Sequence, residues 1–142
     1  RFFRRILDFP ELYDKLFHDG TALLIKNLPD IIDNTVITPT PQNDNDATYC
    51  QLLTKEDSRI NPERMTAVEA EAHVRAHLEF PRSRMTINSR DIIITKSHCD
   101  NTPKSPLDQK FSDGNYLIID ELISPTSGKK MTAEAFLRGH QG

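Results

Sequence analysis

Only two of the 142 residues are cysteines, Cys50 and Cys99, and they stand far apart, outside any Cys-x-x-Cys or mixed Cys/His ligand spacing. That scarcity argues against a metal site, leaves a disulfide undetermined, and fits a reducing, cytosolic setting. No apolar run approaches the roughly 18 residues that a membrane helix requires, so no membrane partner is expected. The opening Arg1-Phe2-Phe3-Arg4-Arg5-Ile6-Leu7 is basic and apolar but too short for a signal core, and Asp8 and Glu11 follow at once. Nor is there an excess of basic charge. The formal net charge is -3, and residues 48–142 balance 13 Lys/Arg against 13 Asp/Glu, so any nucleic-acid contact has to come from a local patch. Tryptophan, internal repeats and low-complexity tracts are absent.

What remains is a soluble composition, 27% charged, with length for one ordinary domain and an appendage. Pro10 to Leu28 reads as a helix: Pro10 suits the first turn, Glu11 and Asp14 favour the positive end of the dipole, and Pro29 is expected to close it. Its apolar residues, Leu12, Tyr13, Leu16, Phe17, Leu23, Leu24 and Leu28, make a face too wide for a lone surface helix, so it is expected to need a cover. Residues 33–46 read as a linker stiffened by Pro39 and Pro41. Ala47 to Ile60 then begins as an extended run, Thr48–Leu53, and passes into a charged turn, Lys55–Arg59, where a compact domain starts.

Thr66-Ala67-Val68-Glu69 has capping-box spacing and opens a second helix reaching Leu78, with Val68, Ala72 and Arg75/Ala76 on its expected inner face. The period then changes to strands. Met85 and Ile87 alternate, Asn88-Ser89-Arg90 turns, Ile92–Thr95 is the most buried-looking strand, and Leu107–Phe111 leads through Asp113-Gly114 into Tyr116–Leu122. A terminal helix runs from Thr132 to about Arg138, with Gly139 as its stop. The expected class is α+β, mainly β: a small OB-like barrel, half-open or closed, with an internal and a terminal helix, preceded by a separate N-terminal helix and linker.

The ordered set Gly20-Thr21-Ala22-Leu23-Leu24, Leu28-Pro29, Thr38-Pro39-Thr40-Pro41-Gln42, Ala47-Thr48-Tyr49 and Leu53-Thr54-Lys55-Glu56-Asp57-Ser58-Arg59-Ile60 resembles the methionyl-tRNA formyltransferase family. Val74-Arg75-Ala76, Phe80-Pro81 and the closing Ser127–Gly139 segment agree with it. The resemblance implies that residues 1–32 are the terminal helical segment of a catalytic formyltransferase domain, 33–46 the linker, and 47–142 the C-terminal barrel. It implies a cytoplasmic, tRNA-positioning part of an enzyme that moves a formyl group from 10-formyltetrahydrofolate to the amine of initiator methionyl-tRNA. The Asn, His and Asp of catalysis would lie upstream of Arg1, so no catalytic residue and no cofactor are expected in this chain, which opens on Arg and reads as part of a longer polypeptide. A related formyltransferase acting on a sugar or another amine, and a free-standing RNA-binding barrel without chemistry, are the alternatives. Self-association through residues 10–28 is a further expectation.

The expected nucleic-acid contacts are Lys55 in the incoming motif, Arg82, Arg84, Arg90 and Lys96 around the first hairpin, and Lys129 and Lys130 before the last helix. Arg82 and Arg84 share strand parity and should project from one face, as should Arg90 and Lys96. Solvated strand ends and an ordinary charged turn are the bland readings of the same residues. His73 and His77 share a helix face at i,i+4 without a third ligand in register, and His98 and Cys99, adjacent on a strand, point to opposite faces.

Overall fold

Phe9-Pro10-Glu11 opens the first helix, α1 (Phe9–Asp33, 25 residues), where Pro10 loses no helical bond and Glu11 complements the dipole. A computed structural model describes residues 7–33 and 40–139. The basic opening Arg1–Ile6 and the linker's first half, with Pro39, lie outside the described residues. The helix does not stop at Leu28 but runs through Pro29. Pro29 forfeits the bond to the Ile25 carbonyl, and Ile25 is 65% exposed, so water can take that carbonyl instead. No residue of α1 is buried, and a Cβ on Gly20 would meet nothing within 4 Å. By its contacts the chain divides into two compact units, Pro10–Leu52 and the remainder.

In the second unit, Thr66 caps α2 (Ala67–Ala76). Its hydroxyl accepts from the Glu69 amide at 3.2 Å while the Glu69 carboxylate accepts from the Thr66 amide at 2.8 Å, closing the expected capping box. The inner face differs from the sequence expectation. Ala67, Ala70 and Val74 are buried, while Val68 is 62% exposed. Two alanines let the helix approach the sheet closely, and Val68, about 100° further round, is turned to solvent.

The strands are β1 (Arg84–Ile87), β2 (Arg90–Asp100), β3 (Gln109–Lys110), β4 (Tyr116–Ile123) and β5 (Lys130–Thr132), followed by α3 (Ala133–Arg138). They form an open antiparallel sheet in the order β1-β2-β4-β3, with β5 on the same edge of β4 as β3 but at its other end. Asn88 and Ser89, at φ 48° and 63°, make the two-residue hairpin joining β1 to β2. Gly114 at φ 83° makes the turn before β4. The second strand continues beyond Thr95 to Asp100 because a bulge around Lys96 shifts the register against β4 without ending it. Ile87, Ile92, Ile94, Leu117 and Leu122, each under 2% exposed, form the centre of a core that α2 and α3 complete with Val74 and Phe136.

Two details correct the expected pattern. Arg82 is not part of a strand: its φ of 63° is left-handed, so the parity that placed it beside Arg84 does not operate. Likewise, the bulge at Lys96 intervenes between Arg90 and Lys96 and removes their common alternation.

Candidate functional site

The incoming charged motif builds one wall of a groove. Asp57 accepts from the Thr54 amide at 2.7 Å and the Thr54 hydroxyl at 2.9 Å, winding Glu56–Ser58 into a 3-10 turn, and the buried Ser58 hydroxyl donates to the Lys55 carbonyl at 2.6 Å. Arg59 then forms a single parallel bridge with Arg84, and the Ile60 amide donates to the Arg84 carbonyl at 3.0 Å. The other wall is the turn between α2 and β1. Pro81 and Ser83 are buried, and the left-handed backbone at Arg82 joins them.

His73 ties the two walls together from beneath. Its Nε2 lies 2.8 Å from the Asp57 carbonyl and its Nδ1 2.7 Å from the Ser83 hydroxyl. Burial, followed by the charge of His77 at a ring separation of 4.1 Å, holds the His73 imidazole below its usual range. The two hydrogen bonds from Thr54, aided by His77 and His73, hold Asp57 below the usual carboxylate range.

The groove has a volume of about 440 Å³, with Lys55, Glu56, Ser58 and Arg59 on one side and Phe80, Pro81 and Arg84 on the other. Asp91 accepts from Arg59 Nη1 at 2.5 Å and from Arg84 Nη1 at 2.9 Å, so one carboxylate fixes two guanidinium groups while leaving their charge in excess. Lys55 forms no ion pair with a described residue.

The sequence-expected cations are therefore only partly gathered. Lys55 and Arg84 share the groove; Arg82 follows Pro81 but does not line it. Arg90, at the far end of the hairpin, borders a separate pocket of about 200 Å³ with Asn88, Ile92 and Phe136. Lys96 is paired in register with Glu121, the residue whose carboxylate also meets Lys130 Nζ at 2.6 Å, and Lys129 is exposed in the turn before β5. The sequence reading missed Arg59, Phe80, Asp91 and His73. Arg59 sits within the Lys55 motif, but its role depends on a pairing with Asp91 across 32 residues.

A buried acid outside the groove is structural. Asp108, 8% exposed, accepts from the Lys104 amide, the Ser105 amide and hydroxyl, and the Ile119 amide, anchoring the loop before β3 to β4. Cys50 and Cys99 are free and exposed, and partial desolvation of the Cys99 thiol, followed by the charges of Glu71 and Asp113, raises it above its usual range. Among the described residues no group of three His, Cys, Asp or Glu side chains is arranged to hold a metal ion, and no helix is long and apolar enough to cross a membrane.

No protein-family model matches the sequence. Individual relatives do. The chain is 26% identical over 140 residues to the methionyl-tRNA formyltransferase of Halorhodospira halophila, covering 92% of this chain and 44% of that protein. It is 30% identical over 141 residues to the Staphylococcus epidermidis protein of the same name, with 92% and 44% covered, and 29% identical over 136 residues to that of Rickettsia bellii, with 91% and 43% covered. The chain thus spans less than half the length of the curated relatives it matches.

Proposed function

We propose, from this resemblance along nine-tenths of the chain, that the protein is the C-terminal, tRNA-positioning part of a methionyl-tRNA formyltransferase. The full enzyme would transfer a formyl group from 10-formyltetrahydrofolate to the amine of initiator methionyl-tRNA in the cytoplasm. In this reading residues 1–32 close the catalytic domain, 33–46 link, and 47–142 form an OB-like domain, with the formyl donor and the chemistry held by the part of the relatives that this chain does not span. No described residue is assigned to the donor. The exposed apolar face of α1 would be covered by that other part or by a second copy.

The observation that carries the reading is the convergence of Lys55, Arg59 and Arg84 on one groove, because a neutral domain binds a polyanion only where cations are brought together. They would contact phosphates and hold the tRNA in register, with no base read through them. Binding of initiator tRNA should weaken as salt rises, and Lys55→Ala together with Arg59→Ala should reduce the slope of log K against log salt by about one unit for each phosphate no longer neutralised. An unchanged slope removes the groove from the interface. Undetectable tRNA binding at low salt overturns the function.

A further inference from the structure

We propose that Phe80 is a stacking platform for one unpaired nucleotide, whose phosphate lies along Lys55, Arg59 and Arg84 in the same groove. This rests on the RNA-binding reading and names the conformation of RNA that the groove takes.

Phe80 is 54% exposed although it lies between a helix end and a buried proline. A large aromatic in that position could have joined the core, yet it lines the groove instead. Its backbone is well secured. Pro81 follows it inside the protein, Ser83 is wholly buried, and the Ser83 hydroxyl is held by the His73 ring and lies 3.1 Å from the His73 carbonyl. The ring is therefore presented by a braced turn, with less conformational freedom to lose on binding than a loop tip would have.

The volume of about 440 Å³ lies within the range of small-ligand sites, roughly 300–1,000 Å³. The chemistry of the lining selects the ligand. Cations alone suit a duplex backbone, but a duplex keeps its base faces stacked inside, where Phe80 has nothing to meet. A base turned out of its stack offers a π-face to the ring and a phosphate to the guanidinium groups that Asp91 holds in place. Glu56 is the one acid among the lining residues against Lys55, Arg59 and Arg84, so the groove favours an anion, and the Phe80 ring favours one that also carries a π-face over an acidic peptide.

The absence of tryptophan supplies the assay. In the full 142-residue chain Phe80→Trp introduces a lone indole, to be titrated with a short single-stranded RNA, with the same sequence as a blunt duplex, and with poly-glutamate. Single-stranded RNA should quench the indole and bind more tightly than the duplex. Phe80→Ala should lose about 5- to 100-fold in single-strand affinity at an unchanged salt slope, and Phe80→Tyr should restore it. Circular dichroism on each variant checks the fold, and should Phe80→Ala not fold, the indole titration decides. If single-stranded RNA binds without quenching, or if a folded Phe80→Ala binds it as tightly as wild type, the stacking site is overturned and the cationic groove survives. Equal binding of duplex, or tighter binding of poly-glutamate, also overturns it. If wild type binds no RNA at all, the parent reading falls with it.

Discussion

The Nδ1 of His73 lies 2.7 Å from the Ser83 hydroxyl, and the opposite nitrogen of the same ring faces the Asp57 carbonyl at 2.8 Å. A carbonyl only accepts, so Nε2 carries the proton, and the single Ser83 hydroxyl proton is shared between Nδ1 and the His73 carbonyl, 3.1 Å away. One side chain thereby sets the spacing of the groove walls.

Removing the ring breaks two hydrogen bonds, although the Ser83 hydroxyl keeps the His73 carbonyl and the exposed Asp57 carbonyl can turn to water. His73→Ala should lower unfolding stability by about 0.5–1.5 kcal/mol for each bond lost, and His73→Asn, which reproduces the Nδ1 side alone, should recover part of it. Urea denaturation at pH 7.5 measures both. Equal stability of all three proteins would mean that the walls do not depend on the clasp.

The same ring predicts a pH dependence. Its folded-state pKa lies below the ordinary 6.5, so the unfolded chain binds a proton there more readily. The stability from His73 is therefore complete above pH 6.5 and is lost as pH falls from 6.5 through the lower folded value. Asp57 and His77 face the ring with opposite effects. His73→Asn should flatten this part of the urea-midpoint profile, which an unchanged profile would contradict.

Asp100 is held at about 2, first by the Lys104 side chain, with Nζ at 2.6 Å, and then by the Thr102 amide. A depressed carboxyl stabilises the fold above its ordinary value of 3.8 and loses that contribution as pH falls toward 2. The Asp100 carboxyl carbon should titrate near 2 by NMR, and Lys104→Ala should move it upward; a midpoint near 3.8 in the wild type would show the pair open in solution.

Leu122 is fully buried, paired with Ile94 on one side and Met131 on the other. Leu122→Ala should cost about 2–5 kcal/mol by chemical denaturation. In contrast, Gly20 lies within α1 with open space where a Cβ would go, and Gly20→Ala should strengthen the helix by up to about 1 kcal/mol, read as a gain in helical ellipticity and thermal midpoint.

Much of this was visible in the residues. Thr66 and Glu69 announced α2, Met85 and Ile87 announced β1, and Asp113-Gly114 announced the turn into β4, because each signal is local. The misses came where tertiary structure overrode the local pattern. Lys130-Met131-Thr132 is too short to read as a strand until Leu122 pairs with it, and the alternation expected to join Arg90 to Lys96 is broken by a bulge that no local signal marks. Pro29 was expected to end α1, but an exposed carbonyl has water for a partner. In the site, Lys55 and Arg84 were legible as single cations. Their meeting with Arg59 was not, since it depends on the Arg59–Arg84 bridge and on Asp91 reaching both guanidinium groups.

That bridge also guards against misassembly. β1 is a terminal strand of an open sheet, with Met85 and Ile87 in a short run that another chain could extend. The segment ending at Ile60 occupies the Arg84 carbonyl, blocking the first rung of any such intermolecular ladder. A protein trimmed to begin after Ile60 would keep every strand of the sheet yet expose a template for aggregation.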